Sequence, residues 1–146
     1  MTIQTTVSAL QSLHSTITGV TSAPTALPIT IDARRLPLVF SWPGPTSPAG
    51  WASSAGQWYR TERTYIIRCY VAEVAADGST QDDAGYQAAA LLLQRFGVAY
   101  MGDPNLSGAV AHLGAILDSG VAILDYGGKD YHGFEFRLDI TEKVSL

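Results

Sequence analysis

The chain has 146 residues, a formal net charge of −4, and only 15% charged against 47% hydrophobic residues. That acidic balance excludes a basic groove gripping a phosphate backbone, because such binding runs on clustered Lys and Arg. Its single cysteine, Cys69, excludes an internal disulfide and any zinc cage built on cysteines. No apolar run approaches the ~20 residues of a membrane-spanning helix. The N-terminus also lacks the basic start and apolar core of a secretory signal, so synthesis in a cytoplasm is expected. The length suits one domain over 1–146, and a charged fraction below the roughly 25% usual for soluble domains leaves much of the surface neutral. A subunit covered by copies of itself has such a surface, and so does one clothed in Ser and Thr.

Ile3, Val7, Leu10, Leu13 (or His14) and Ile17 recur at helical spacing and predict an amphipathic first helix, with Gly19 at its exit. His14 beside that stripe reads as a packed structural residue. Pro24 and Pro28 mark an extended linker. Ile29-Thr30-Ile31 and Leu36 to Trp42 are expected as short strands around an Asp32–Arg35 turn. The stretch from Ser41 to Trp58 holds three prolines, three glycines, all three tryptophans and no charge. It reads as a long irregular loop over about 43–57, and loops of that length inside compact domains are usually functional. Tryptophans anchor interfaces, so Trp42, Trp51 and Trp58 are candidate docking residues.

Gln57 to Ala75 is the longest strand candidate, with Tyr65, Ile67, Cys69 and Val71 on the core side and Thr64, Ile66, Arg68 and Tyr70 on a mixed side. Arg60, Glu62 and Arg63 lie at its outer end and, with Arg68, complete the candidate interface. Ser79-Thr80 with Asp82 and Asp83 in the first turn predicts a second helix, carried by Ala88, Ala89, Leu92 and Phe96 and ending at Gly97. Helix capping accounts for both aspartates, so they are no acid/base or metal pair. Val110 to Leu117 follows as a weakly alternating strand. Val121–Leu124 and Tyr131–Ile140 then flank Gly127-Gly128 as a C-terminal β-hairpin. Phe134, Phe136, Leu138 and Ile140 form its buried face, Glu135, Arg137 and Asp139 its wet face, and Glu142 to Leu146 a short tail. This order predicts an α+β fold: an antiparallel or mixed β-sheet with two main α-helices packed on it.

No constellation carries chemistry. Gly127-Gly128-Lys129 lacks the frame of a phosphate-binding loop, and there is no Gly-x-Ser-x-Gly elbow. His14, His112 and His132 fall on three different elements. No catalytic, cofactor-binding or metal-binding residues are therefore assigned, and an enzyme is not expected. Tyr126, Tyr131 and His132 offer one rival, a small-ligand pocket at the hairpin end; cross-strand pairing of those aromatics is the plainer reading.

The first helix, the Leu36-Pro37-Leu38-Val39 strand, the irregular stretch after it, the Arg60–Val74 strand, the Asp82–Phe96 helix and the Tyr126–Gly133 hairpin together resemble the tail-terminator (tail-completion) proteins of long-tailed bacteriophages. The resemblance implies a structural virion protein, made in the host cytoplasm. Such a protein forms a homo-oligomeric ring, a hexamer, that caps the tail tube and joins it to the neck and head. Its implied partners are further copies of itself, the tail tube protein and a neck or connector protein. DNA would pass the acidic channel without specific binding, and neither a membrane nor a cofactor is involved. Another head–tail connector subunit is the alternative within that setting.

Overall fold

A computed structural model describes residues 3–28, 30–53, 58–74 and 80–145, apart from the side chains of 47–49, 53, 58, 59, 80–82, 144 and 145. Two helices, α1 (Ile3–Ser15) and α2 (Thr80–Gly102), pack on one face of a five-stranded sheet. The strands are β1 (Leu38–Ser53), β2 (Trp58–Glu73), β3 (His112–Asp118), β4 (Ala122–Tyr126) and β5 (Lys129–Ser145). All strand pairings are antiparallel, in the order β1-β2-β5-β3, and β4 also pairs with β5. The α+β class with a C-terminal hairpin is thus the observed fold.

Strand β5 is the axis. Its register with β2 runs from Trp58↔Ser145 to Glu73↔Tyr131, with one irregularity between Tyr70 and Ala72. Along its other side lie β3, opposite Phe136–Thr141, and then β4, opposite Lys129–Gly133. The even residues Phe134, Phe136, Leu138 and Ile140 are buried, as are Tyr65, Ile67, Cys69 and Val71 of β2. Period-two alternation therefore does place one face of each long strand in the core. Over it α2 lays Ala89, Leu92, Phe96 and Tyr100, and α1 lays Val7 and Leu10. Phe96 meets Phe134 edge-on at 5.1 Å, and Tyr100 meets Phe136 at 5.2 Å. Gly127 and Gly128 close the β4–β5 turn with φ of 61° and 84°, the left-handed pair that a two-residue hairpin requires.

Several expectations need correction. The irregular loop over 43–57 is strand through Ser53; only 54–57 fall outside the described residues. Its prolines are tolerated because β1 is the edge of the sheet, where a missing N–H costs no inner ladder bond. They leave their mark as register shifts between Pro43 and Thr46 and between Thr46 and Trp51. Thr30 and Ile31 are not strand, and Ile29 lies outside the described residues. Instead Ser22 makes a parallel bridge to Leu38, and Ala33–Arg35 form a 3-10 turn capped by Asp32. Helix α2 does not stop at Gly97 but runs to Gly102, because Tyr100 is fully buried one turn beyond Phe96 and that packing outweighs one glycine's propensity cost. The capping expected from Ser79 and Asp82 lies outside the described residues. Lastly, Glu142 is no tail: β5 continues to Ser145, and Glu142 is fully buried.

Residues 23–28 start on the helical face beside β1, and residues 30–37 lie on the opposite face. There Ile31 and Leu36 cover a second cluster of Leu38, Phe40, Tyr70 and Tyr131, with Leu124 and Tyr126 alongside. Tyr126 ties residues 23–28 down by donating its hydroxyl to the Pro28 carbonyl.

At Gly133 strand β5 lies close against the backbone of β2. A Cβ there would drive into the Cys69 carbonyl oxygen, which is backbone and cannot swing aside. Gly133→Ala is expected to cost about 3 kcal/mol of stability, the upper part of the usual overpacking range. Urea unfolding of the variant against the parent measures it.

Candidate interaction surface

The seven candidate residues do not form one patch. Pairing register places Arg60, Glu62 and Arg68 on the sheet face opposite the helices and Arg63 on the helical face, since side chains alternate along β2. Trp42 pairs with Ile66 and shares the outer face with Arg68; Trp51 pairs with Thr61 and lies with Arg63 on the helical side. Trp58 pairs with Ser145, and its side chain is outside the described residues.

Trp42 and Arg68 do come together. The Arg68 guanidinium sits 5.5 Å from the Trp42 ring centroid, within cation–π range. The same guanidinium donates to Glu135 at 2.9 Å, and Arg137 reaches the other oxygen of Glu135 at 3.3 Å. Thr64 donates to Asp139 at 2.8 Å on the same face. These half-exposed ion pairs add little stability, but they match the charges of Arg68, Glu135 and Arg137 within the subunit. Trp51, by contrast, is 60% exposed. It sits near the end of a strand whose sixteen residues carry no charge. Arg60 is exposed two residues from the β2 start. Arg63 turns inward, donating to the Gly44 carbonyl at 2.9 Å.

At the hairpin end Tyr126 and Tyr131 line a small cleft of about 120 Å³ with Thr30, Ile31, Gly127 and Lys129, and His132 is not part of it. Tyr126 and Tyr131 belong to the outer-face cluster, whereas His132 lies under α2, where Gly85 crosses it closely. The larger clefts lie elsewhere. One of about 560 Å³ runs between the start of α1 and β1, lined by residues such as Val7, Leu27, Phe40, Trp42 and Pro43, none of its lining residues charged. A second, of about 510 Å³, lies between Thr16–Thr18 and the Leu91–Ala99 side of α2. Among the described residues no three His, Cys, Asp or Glu side chains are grouped to hold a metal ion, and no helix is long and apolar enough to cross a membrane.

The polar chemistry that sequence reading missed is internal. Gln11 Nε2 donates to the carbonyls of Val39 (2.8 Å) and Pro24. Its Oε1 must then accept, and does so from the Ser41 hydroxyl at 2.8 Å and from His14 Nδ1 at 2.7 Å. That fixes the neutral tautomer of His14, whose Nε2 accepts from the Tyr100 hydroxyl at 2.7 Å. Burial lowers the His14 pKa to about 3 and pushes the Tyr100 phenol far up. A second set joins Thr6 and Tyr65, whose hydroxyls donate to the two oxygens of Glu142 at 2.9 and 2.7 Å. Burial, with the Glu142 carboxyl beside it, holds the Tyr65 phenol protonated far above its ordinary range. Burial likewise raises the Cys69 thiol, leaving it a small core hydrophobe rather than a nucleophile. The available signal was two polar residues, Gln11 and His14, three apart on the apolar side of α1.

No family model matches the chain, and no curated protein is detectably similar to it.

His14 yields a pH prediction. Its folded pKa lies below the unfolded value of 6.5, so the unfolded chain binds the extra proton. The stabilisation is therefore complete above pH 6.5 and is lost as pH falls toward 3. Between pH 8 and pH 5 this single group should remove about 2 kcal/mol. The stability gap between parent and His14→Gln should narrow by that amount over the same interval, read from denaturant midpoints at each pH.

Proposed function

We propose that the chain is a structural subunit of a long-tailed bacteriophage virion. In this reading it assembles with copies of itself into a ring, a hexamer, that ends the tail tube and joins it to the neck. The observation that carries this reading is Trp51, 60% exposed on a sixteen-residue edge strand without a charge. A large aromatic exposed on a neutral edge strand is the kind of residue that anchors an interface. Two further features support it. Arg68, Glu135 and Arg137 on the outer sheet face are already paired within the subunit, so that part of the face can be covered without leaving these ions isolated. The net charge of −4 suits a channel past which DNA slides without adsorbing. Two pairs of buried titratable groups, His14 with Tyr100 and Tyr65 with Glu142, are hydrogen-bonded to each other. Partners in this reading are the tail tube protein and a neck protein; a connector subunit nearer the head differs only in which of the two it grips.

Purified protein should show a molar mass by light scattering that is a multiple of 15.6 kDa, or should reach it when given tail tubes. Closed rings should be visible by electron microscopy. Trp51→Ala should weaken assembly roughly thirty-fold, the loss of a hot-spot side chain, with an unchanged melting temperature because the residue is exposed. A chain that stays monomeric at high concentration and ignores both tube and neck protein would sink the reading.

A further inference from the structure

The two edges of the sheet are treated in opposite ways. On β1 the edge is closed. Val39 donates its N–H to Ser22, Thr21 and Ser22 donate theirs to Pro37, and the Gln11 amide caps the Val39 carbonyl. Pro43, Pro45 and Pro48 then remove three donors beyond that point. On the far side of β5 the edge is formed by β3 and β4 in succession, and it is open.

Which groups face outward follows from the bonding. Ser119 donates its N–H to Glu135 at 2.9 Å, so by alternation Leu117 also bonds inward, and Ile116 and Asp118 direct their N–H and C=O away from β5. The two-residue turn makes Tyr126–Lys129 the closing bonded pair, so Leu124 bonds inward and Ile123 and Asp125 face out. Only the start of this edge is covered, where Leu113 donates to the Pro104 carbonyl. Among the described residues no hydrogen bond reaches the outward N–H groups of Ile116, Asp118, Ile123 or Asp125. Beside them Leu117 and Ile123 are 64% and 54% exposed. An open edge with exposed apolar side chains and no Pro or Lys of its own is a template for strand pairing.

Charge says what kind of strand fits. Between Arg95 and Lys129 the sequence holds Asp103, Asp118 and Asp125 and no Lys or Arg. Asp118 and Asp125 stand at outward positions on the two edge strands. Lys129 lies across the turn on β5, and the nearest arginine on β5, Arg137, is engaged by Glu135. Two such edges brought together would oppose acid to acid, and the neighbouring copy's β1 edge is closed near its start by its own chain.

We infer that the β3–β4 edge is a docking site for an extended strand of another protein, one that alternates cationic and apolar residues and adds to the sheet beside β5. The partner's main chain pairs with Ile116, Asp118, Ile123 and Asp125; on the helical face its cations meet Asp118 and Asp125 and their apolar stems lie over Ile123, and on the opposite face its apolar side chains cover Leu117. This inference stands apart from the ring reading, since it concerns neither Trp51 nor copies of the chain.

A capped synthetic peptide of alternating Lys and Val, added to the full chain, tests it by amide hydrogen exchange. Exchange at the four outward amides should slow by at least about tenfold at saturation. Ile123→Pro, which removes one outward N–H, and Asp118→Asn with Asp125→Asn, which keeps the side-chain acceptor to Gly120, should each weaken the effect. The paired substitution should also flatten its salt dependence. The proposal is overturned if no peptide protects these amides or if an alternating Glu and Val peptide protects them equally. It is overturned too if they are already protected in the chain alone at a mass of two copies, which makes the partner a second copy.

Discussion

Helix α1 meets the sheet through polar contacts as much as through apolar ones, and the rest of the architecture depends on that seam. An apolar stripe alone would let a thirteen-residue helix roll or slide on a greasy sheet, since apolar contact is non-directional. The Gln11 amide removes that freedom because its two donors and one acceptor all meet fixed partners: two backbone carbonyls, a serine and a histidine. Through His14 the same network reaches Tyr100 near the end of α2, so both helices are indexed to β1 by one chain of hydrogen bonds. At the other end of α1, Thr6 and Tyr65 hold Glu142, which indexes α1 to the last turns of the β2–β5 ladder. Leaving any one member unpaired in this dry setting costs more than its bond contributes, so the seam is satisfied as a whole or not at all.

The seam also explains which parts of the chain were legible. Strands β2 and β5 were, because each repeats apolar residues at period two over a long run, and Phe134–Ile140 and Tyr65–Val71 meet across the ladder as that pattern requires. Helix α2 was legible up to Gly97 and no further, since Tyr100 holds the last turn by tertiary packing that no local propensity encodes. Strand β1 was hidden by its own composition. Prolines and glycines spell a loop wherever a strand is assumed to have two neighbours, and only the edge position, a property of topology, makes them acceptable. Glu142 was misplaced for a related reason: a charged residue near a chain end reads as solvated until two hydroxyls from distant elements are placed around it.

The candidate surface was legible in part. The Trp42–Arg68 contact arises because β1 and β2 are adjacent and in a register that sets Trp42 opposite Ile66, one step from Arg68. Trp51 is exposed, but on strand β1 rather than in the loop expected for it. Arg63 was grouped with Arg60 and Glu62 by sequence proximity, whereas strand alternation turns it to the other face, toward the Gly44 carbonyl. A three-residue spread along a strand is not a patch, and register has to be known before neighbours in sequence can be counted as neighbours in space.

The two sheet edges then acquire different meanings from one physical rule. Unpaired main-chain groups at an edge invite a partner, so a chain either blocks them or uses them. Here β1 is blocked three times over, by the Ser22 bridge, by the Gln11 amide and by prolines, and that redundancy sits where the segment from α1 must pass. Blocking one edge so thoroughly would accomplish little for solubility if the other were left bare by accident. The β3–β4 edge is also broken by the Asp118-Ser119-Gly120 turn, which keeps it short and in two pieces. Two short acidic pieces in line are poor templates for self-pairing and serviceable ones for a complementary strand. The asymmetry of the edges, rather than any pocket, is what gives this sheet a direction in which it can be extended.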